Sequence, residues 1–465
     1  MSMKLDAAVR QTGTRFRIFP QPRYLRGFEK PETIVVSVPP EDMQPGPADD
    51  RIYVVDALNK SPYRYPYLPP HTGAHNPPPP PDPGTGHFDH LQPDTRSFAA
   101  CQMYATVRRT LDIWEDYFEH TIEWHFSLDY SRIELIPLIS WDNAHSGYGF
   151  LEFGFGRTPT GAIDPDKPHC MNFDVLAHEL GHSIHFATVG FPEHALAVTD
   201  EFGGFGESAG DLVALVTALH SNLVIDHLLA HCRGNLFTEN ELSRIGELSE
   251  SRQIRKAFNY ERMSTVSSEP HDLSNPLTGA LFDVFVEAFQ KELVAAELIS
   301  QQLADLSYHG PQEAVDDAEI QARFNDAYRG HELEFKTCLM NARDYLGTLL
   351  AKCWDRLNPN FLTYARIGLT LLAVDRELTG GAQRETIRDC FSWREIQFPA
   401  DSAAYRSYSI LDCARSAAGR GRAAQTERPL AVAAPRDRLG VASPLTSPGR
   451  KMTKAAAMSV PEIQV

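Results

Sequence analysis

The segment HELGH at residues 178–182 places two histidines and a glutamate within one helical turn. His178 and His182 stand at i and i+4, so on a helix both imidazoles lie on one face and can reach a single ion about 2 Å from each nitrogen. Glu179 is rotated off that face, where it misses the metal but reaches a water on it. Zinc suits such a mixed nitrogen and oxygen site. The pattern therefore predicts a zinc centre with Glu179 as general base.

A third ligand has to come from another segment. The sequence FGESAGDLVAL supplies Glu207 and Asp211 at i and i+4 of a second helix. We assign Glu207 as the third ligand and Asp211 as the acceptor that fixes the tautomer of a ligand histidine. Asp200 and Glu201 are weaker rivals because the nearby glycines predict a loop. A third histidine six residues after His182 is excluded, because that position is Thr188.

The elements that would position these residues follow from capping and periodicity. Asp174 is expected to cap a helix that carries HELGH and ends at Gly190, with Pro192 just beyond. Apolar residues at spacings of three and four predict a helix over 97–120, ahead of strand-like runs. The predicted strands are 33–38, 122–128, 132–139 and 150–155; the other predicted helices are 205–219, 276–293, 332–357, 361–378 and 382–391. The fold class is therefore α+β.

Composition and charge exclude some classes of binding partner. A net charge of −17 argues against a nucleic-acid binder, and no apolar run is long enough to span a membrane. The N-terminus has no signal-peptide core, and the seven cysteines form no CxxC pair. We therefore expect a cytoplasmic protein with reduced thiols, with nonclassical export as an open alternative. The sequence indicates no oligomeric state.

Four segments follow from the changes in composition. Residues 1–95 form an N-terminal extension with a Pro-rich connector at 63–83, and residues 96–190 form an α/β lobe that ends in the HELGH helix. Residues 191–415 are expected to form a helical lobe. Residues 416–465 carry eight Lys/Arg against three Asp/Glu and are predicted to be a disordered basic tail.

Together, DVLAHELGH and the later GESAGD resemble the helix pair of the thermolysin-like gluzincin metallopeptidases, whose zinc ligands are two His and one Glu. The segments WDNAHSGYGFLEFG, EPHDLSNPLTGALFDVF and IYVVDALNKSPYRYPYLP are also similar to parts of that family. The resemblance covers about residues 51–400. It implies a two-lobed α+β fold, in which the zinc helix lies between an N-terminal α/β lobe with an edge strand and an all-helical C-terminal lobe.

The resemblance also implies roles for single residues. Asn143 and Ala144 match substrate-binding positions at the edge strand, and His271 matches the histidine that stabilises the oxyanion. The family's oxyanion Tyr has no counterpart, so His194 is a candidate substitute. The acidic partner of the histidine is also missing, because its position is Val266, with Glu269 as a stand-in. The family's calcium-binding acids are largely absent, although Asp174 and Asp226 remain, so we expect one zinc and no structural calcium.

The expected function is a zinc-dependent endopeptidase that acts on proteins or peptides. The alternative from another class is a zinc-binding scaffold or interaction protein of the same fold with weakened catalysis. The missing Tyr favours it, while the intact Glu179 opposes it. An aminopeptidase ranks lower because no GxMEN-like motif for a free amine is present.

Overall fold

A computed structural model describes residues 9–238, 244–245, 255–308 and 316–398 of the chain. The fold is mixed α+β, with small sheets and one long helix before residue 169 and mainly helices after it. The predicted basic tail at 416–465 lies outside the described residues. Within the described part no single helix is long and apolar enough to cross a membrane; one neighbouring helix pair passes that test, by length and composition only, but is bent by 91°.

The strands in chain order are β1 Thr14–Ile18, β2 Glu32–Val36, β3 Ile52–Val54, β4 Ile133–Ile136, β5 Ala144–Gly147, β6 Phe150–Phe153, β7 Phe155–Arg157, β8 Ile163–Pro168, β9 Arg244–Ile245 and β10 Arg255–Lys256. The helices of at least seven residues in the described part are α1 Arg96–Phe118, α2 Phe173–Thr188, α3 Asp200–Ala218, α4 Asn222–Cys232, α5 Pro270–Ala295, α6 Gln301–Ser307, α7 Asp317–Tyr328, α8 Glu332–Trp354, α9 Tyr364–Thr379 and α10 Arg384–Trp393.

One four-stranded sheet carries the elements next to the site. Its order is β3-β4-β6-β5, with β3, β4 and β6 parallel and β5 antiparallel to β6. A two-residue turn at Tyr148 and Gly149 joins β5 to β6, and Gly149 supplies the positive φ of +90° that this turn requires. The strand β5 forms one edge of this sheet and packs against α2.

The two faces of this sheet are covered differently. Leu135 and Leu151 belong to the main core with α1 and α2, whereas Ile136 and Phe150 point to the other face. On that other face they pack with Ala57 and Tyr63, which come from the segment 55–76. We call residues 55–76 the arm; no helix or strand is found in this part of the chain.

Several predicted elements need correction. Residues 122–128 form no strand: 122–124 are irregular and 125–128 form a turn. Ile122, Trp124 and Phe126 alternate into the core as a strand would, but they pair with no strand among the described residues. Asn172 caps the HELGH helix in place of Asp174, because its side chain accepts from the backbone N–H groups of Asp174 and Val175. The helix α5 begins at residue 270, so it includes His271 in its first turn.

The largest correction concerns α3. The glycines at 203, 204 and 206 predicted a loop, yet the helix already begins at Asp200, where Thr199 accepts from the N–H of Phe202. Asp200 and Glu201 form its first turn. A Cβ at residue 204 would stand 2.3 Å from the Tyr364 hydroxyl. At this position the glycine therefore permits close helix packing and does not mark a loop.

Candidate metal centre

The helices α2 and α3 pack side by side, and small residues set their separation. A Cβ on Gly181 would lie 2.7 Å from the Cα of Gly210, and a Cβ on Gly210 would lie 2.6 Å from the His178 ring. Real Cβ atoms do not approach so closely. These two glycines were not among the predicted site residues, although glycine inside a helical pattern often indicates close packing.

The predicted ligands converge between these helices. The Nε2 atoms of His178 and His182 are 3.1 Å apart, and the Glu207 carboxylate lies 3.5 Å from the first and 3.7 Å from the second. All three side chains are buried, and one ligand atom from each lies within 4.8 Å of the others. These three side chains, which we call the ligand group, could hold a metal ion.

Asp211 fixes the orientation of one predicted ligand, His178. The Nδ1–H of His178 donates to Asp211 Oδ1 at 2.9 Å, which leaves the Nε2 lone pair directed at His182 and Glu207. Thr278 of α5 lies 3.5 Å from the other Asp211 oxygen. Asp211 therefore lies behind His178, one of the predicted ligands.

Replacing Asp211 with Ala is expected to weaken metal affinity about 10–100-fold, because His178 would lose the acceptor that fixes its tautomer. Competition with a chelator of known affinity measures the change. Asp226→Ala, which removes an exposed acid of α4, is the control for the altered net charge. Equal affinities in the two variants would show that Asp211 does not support the metal.

Glu179 differs electrostatically from its neighbours. Its side chain is fully buried, and neither carboxylate oxygen has a hydrogen-bond partner among the described residues. Burial raises the pKa of Glu179 to about 7, and the nearby His178 and His145 offset only part of that effect. A carboxyl group with this pKa can both accept and release a proton near neutral pH.

His271 approaches the same group from α5. Its Nε2 lies 3.6 Å from Glu207 Oε2, and its Nδ1 donates to Glu269 Oε1 at 2.6 Å. Glu269 also caps α5 by accepting from the N–H of Asp272. The side chain of His271 is 31% exposed, so it lies at the open side of the buried ligand group.

Of the remaining predicted residues, Asn143 and Ala144 lie at the strand beside α2, whereas His194 lies on the surface. Ala144 begins the edge strand β5, and Asn143 precedes it with a buried Oδ1 that has no partner among the described residues. β5 packs against α2. By contrast, His194 is exposed at the start of a short 3₁₀ helix, Ala195–Ala197, and is not part of the ligand group.

The residues fit a zinc ion by their chemistry. Two imidazole nitrogens and one carboxylate are a known catalytic zinc set, with a fourth position left open. The oxygens of buried Glu179 and the Nε2 of His271, which make no hydrogen bond among the described residues, add polar atoms beside that set. Buried polar atoms without partners are rare in folded proteins, so they indicate that a polar ligand belongs there.

Known proteins resemble this chain in structure and not in sequence. No protein-family model and no curated protein matches the chain. A solved structure of the precursor of protealysin, a metalloproteinase from Serratia proteamaculans, is 13% identical to this chain. The match covers 66% of this chain and 90% of that one, with a TM-score of 0.33. A similarity of this size establishes no family, so the case for function depends on the site's own geometry.

Proposed function

We propose that this protein is a zinc-dependent endopeptidase that hydrolyses peptide bonds in proteins or peptides. The observation that carries the proposal is Glu179, a fully buried carboxylate without a hydrogen-bond partner among the described residues, on the helix that presents His178 and His182. A buried carboxylate is costly to maintain without a partner. Its use as a general base beside a metal accounts for its position.

The metal would be held by His178, His182 and Glu207. When bound there, zinc would polarise a peptide carbonyl and make a water easier to deprotonate. Glu179 would take the proton from that water and pass it to the leaving amine, a transfer that its pKa near 7 supports. His271, whose Nε2 faces the ligand group, would donate to the developing oxyanion.

Peptide binding at β5 is part of the proposal. Extended peptides add to an exposed strand edge through main-chain hydrogen bonds. Strand β5 pairs with β6 on one side and lies against α2, so its other edge is the one offered to a peptide. Asn143 and Ala144 would contact the substrate backbone at the start of this strand.

The proposal includes two lobes, one zinc and no structural calcium. The four-stranded sheet is built before residue 154, and the long helices of the second part follow the HELGH helix, which supports a zinc helix between two lobes. The two acids left at the family's calcium positions already have donors: Gln21 Nε2 donates to Asp174 Oδ1 at 3.1 Å, and Lys336 Nζ to Asp226 at 2.6 Å.

One tightly held zinc per chain is expected, and His178→Ala, His182→Ala and Glu207→Ala should each lose it, because three protein ligands are the minimum of a catalytic zinc site. Elemental analysis of the purified variants measures the loss. His120→Ala, at an exposed histidine, is the matched control. A Glu207 variant with full zinc content and full activity would overturn the ligand assignment.

An assay of peptide cleavage distinguishes an endopeptidase from a zinc-binding scaffold that lacks activity. Casein and a peptide library should be cleaved by the purified chain, and a chelator should stop cleavage until zinc is restored. Internal cleavage sites would support an endopeptidase, whereas release of single N-terminal residues would indicate an aminopeptidase. Stoichiometric zinc without cleavage of any peptide would favour the scaffold.

A further inference from the structure

A second buried polar cluster lies on the other face of the four-stranded sheet and shares no residue with the three predicted metal ligands. Its centre is Glu152 of β6, whose side chain is fully buried. Three donors from two segments meet this carboxylate: the Nζ of Lys60, the backbone N–H of Tyr63, and the Nε2–H of His145 at 2.6 Å. Charge-assisted hydrogen bonds of this kind are the strong ones in protein interiors.

The bond from His145 follows from strand register. His145 of β5 stands directly opposite Glu152 of β6, and residues opposite each other in an antiparallel pair project to the same face. The rings of Trp141 and Phe150 enclose the imidazole, with centroids 4.9 and 5.2 Å away. His145 itself is 7% exposed, so the bond is shielded from water.

The other two donors belong to the arm. The Lys60 ammonium lies over the Tyr63 ring, 3.3 Å from its centroid, and the Tyr63 hydroxyl bonds to Glu134 of β4. Glu134 also accepts from the Tyr53 hydroxyl at 2.7 Å and from the His71 N–H at 2.9 Å. Glu152 thus links the edge strand to an arm that is itself bonded to the centre of the sheet.

The opposite face of β5 looks toward the metal site. Ala144 packs in the main core, and the backbone of Ser146 lies close to the Glu179 carboxylate without making a full hydrogen bond to it. The strand is short, and within the sheet it pairs with β6 alone. A small displacement of β5 would therefore change where a peptide backbone lies relative to Glu179.

We propose that His145 is a positioning residue that holds β5 in place through Glu152 and the arm, and so favours extended peptides over short ones. This inference rests on the proposed peptidase function. It assigns to the arm, which is far from the ligands in sequence, a part in substrate selection. His145 acts through the strand and contributes no group to the reaction itself.

The test compares two substitutions of His145 with matched polarity. In His145→Gln the amide nitrogen stands near the position of Nε2 and can still donate to Glu152, whereas in His145→Asn the donor stops short. The substrates are a peptide of about eight residues, which can pair with β5, and a blocked dipeptide, which cannot. Each variant is also measured for zinc content and for amide hydrogen exchange at Ala144–Gly147.

In His145→Asn we expect KM for the long peptide to rise about tenfold, the effect of one net hydrogen bond, with KM for the dipeptide changed less than twofold. The β5 amides should exchange faster and zinc content should be unchanged. His145→Gln should restore both the KM ratio and the exchange rates. Tyr53→Phe is the control: it removes a bond to Glu134 on the same face without touching β5, so it should keep the KM ratio.

Other outcomes separate the inference from the proposed function. If both KM values rise equally, or if Tyr53→Phe shifts the KM ratio as much as His145→Asn, His145 has only a general structural role and the inference is wrong. If the wild-type chain cleaves neither substrate, the proposed function fails. Hydrogen exchange then still tests whether His145 holds β5 in place. Equal exchange rates of the β5 amides in the Asn and Gln variants would contradict this role.

Discussion

Replacing Glu179 with Gln is expected to leave zinc bound while activity falls about 10²–10⁴-fold, the usual contribution of a general base. Gln has nearly the same shape as Glu, so the packing of α2 around this buried position should persist. The amide cannot take a proton from water. Glu179 is not one of the three side chains that group as metal ligands, so the metal should stay.

Steady-state cleavage of a peptide, combined with elemental analysis of the same preparation, measures both effects. Glu193→Gln is the matched control, because it makes the same chemical change at an exposed glutamate in the segment after α2. Activity retained in the Glu179 variant would place the base elsewhere. Loss of zinc would show instead that Glu179 helps to hold the metal.

The local part of the site could be read from the sequence. His178 and His182 are one helical turn apart, so any helix over HELGH brings them together, and Asn172 begins such a helix. The pairing of Asp211 with His178 required a second helix to return alongside the first. The sequence supports that return through glycines at 181 and 210, which allow the backbones to approach.

The start of α3 was mispredicted because glycine has two uses. Glycine weakens an isolated helix by about 1 kcal/mol relative to Ala, which is why three of them predicted a loop. Their value appears only in the packed structure, where Gly203 faces Pro270 and Gly204 faces Tyr364. Tertiary packing therefore outweighs local propensity at this helix end.

Polar pairs between residues distant in sequence could not be predicted either, because they too depend on the tertiary structure. In the sequence, His145 stands in the segment WDNAHSGYG, and none of its neighbours identifies Glu152 as its partner. The pair depends on the register of β5 against β6, which the turn at Tyr148 and Gly149 sets. A shift of one residue would turn His145 to the other face of the sheet.

The geometry around His271 suggests a large catalytic effect. Its Nε2 lies 3.6 Å from Glu207 Oε2 and has no hydrogen-bond partner among the described residues, while Glu269 holds the other ring nitrogen. With Nδ1 donating to Glu269, a protonated ring keeps a second N–H at Nε2, directed toward the ligand group. That N–H is placed to meet negative charge that develops on a peptide carbonyl oxygen.

His271→Ala is accordingly expected to lower kcat about 10²–10³-fold, which corresponds to the roughly 2.7–4 kcal/mol of one preorganised oxyanion donor. KM and zinc content should be nearly unchanged, because the interaction forms chiefly in the transition state and His271 is outside the ligand group. His194→Ala, at the exposed histidine that the sequence offers as a substitute donor, should keep normal kcat. The reverse pattern, with kcat lowered in the His194 variant alone, would move the oxyanion donor to His194. That result would require the segment after α2 to close over the site when substrate binds.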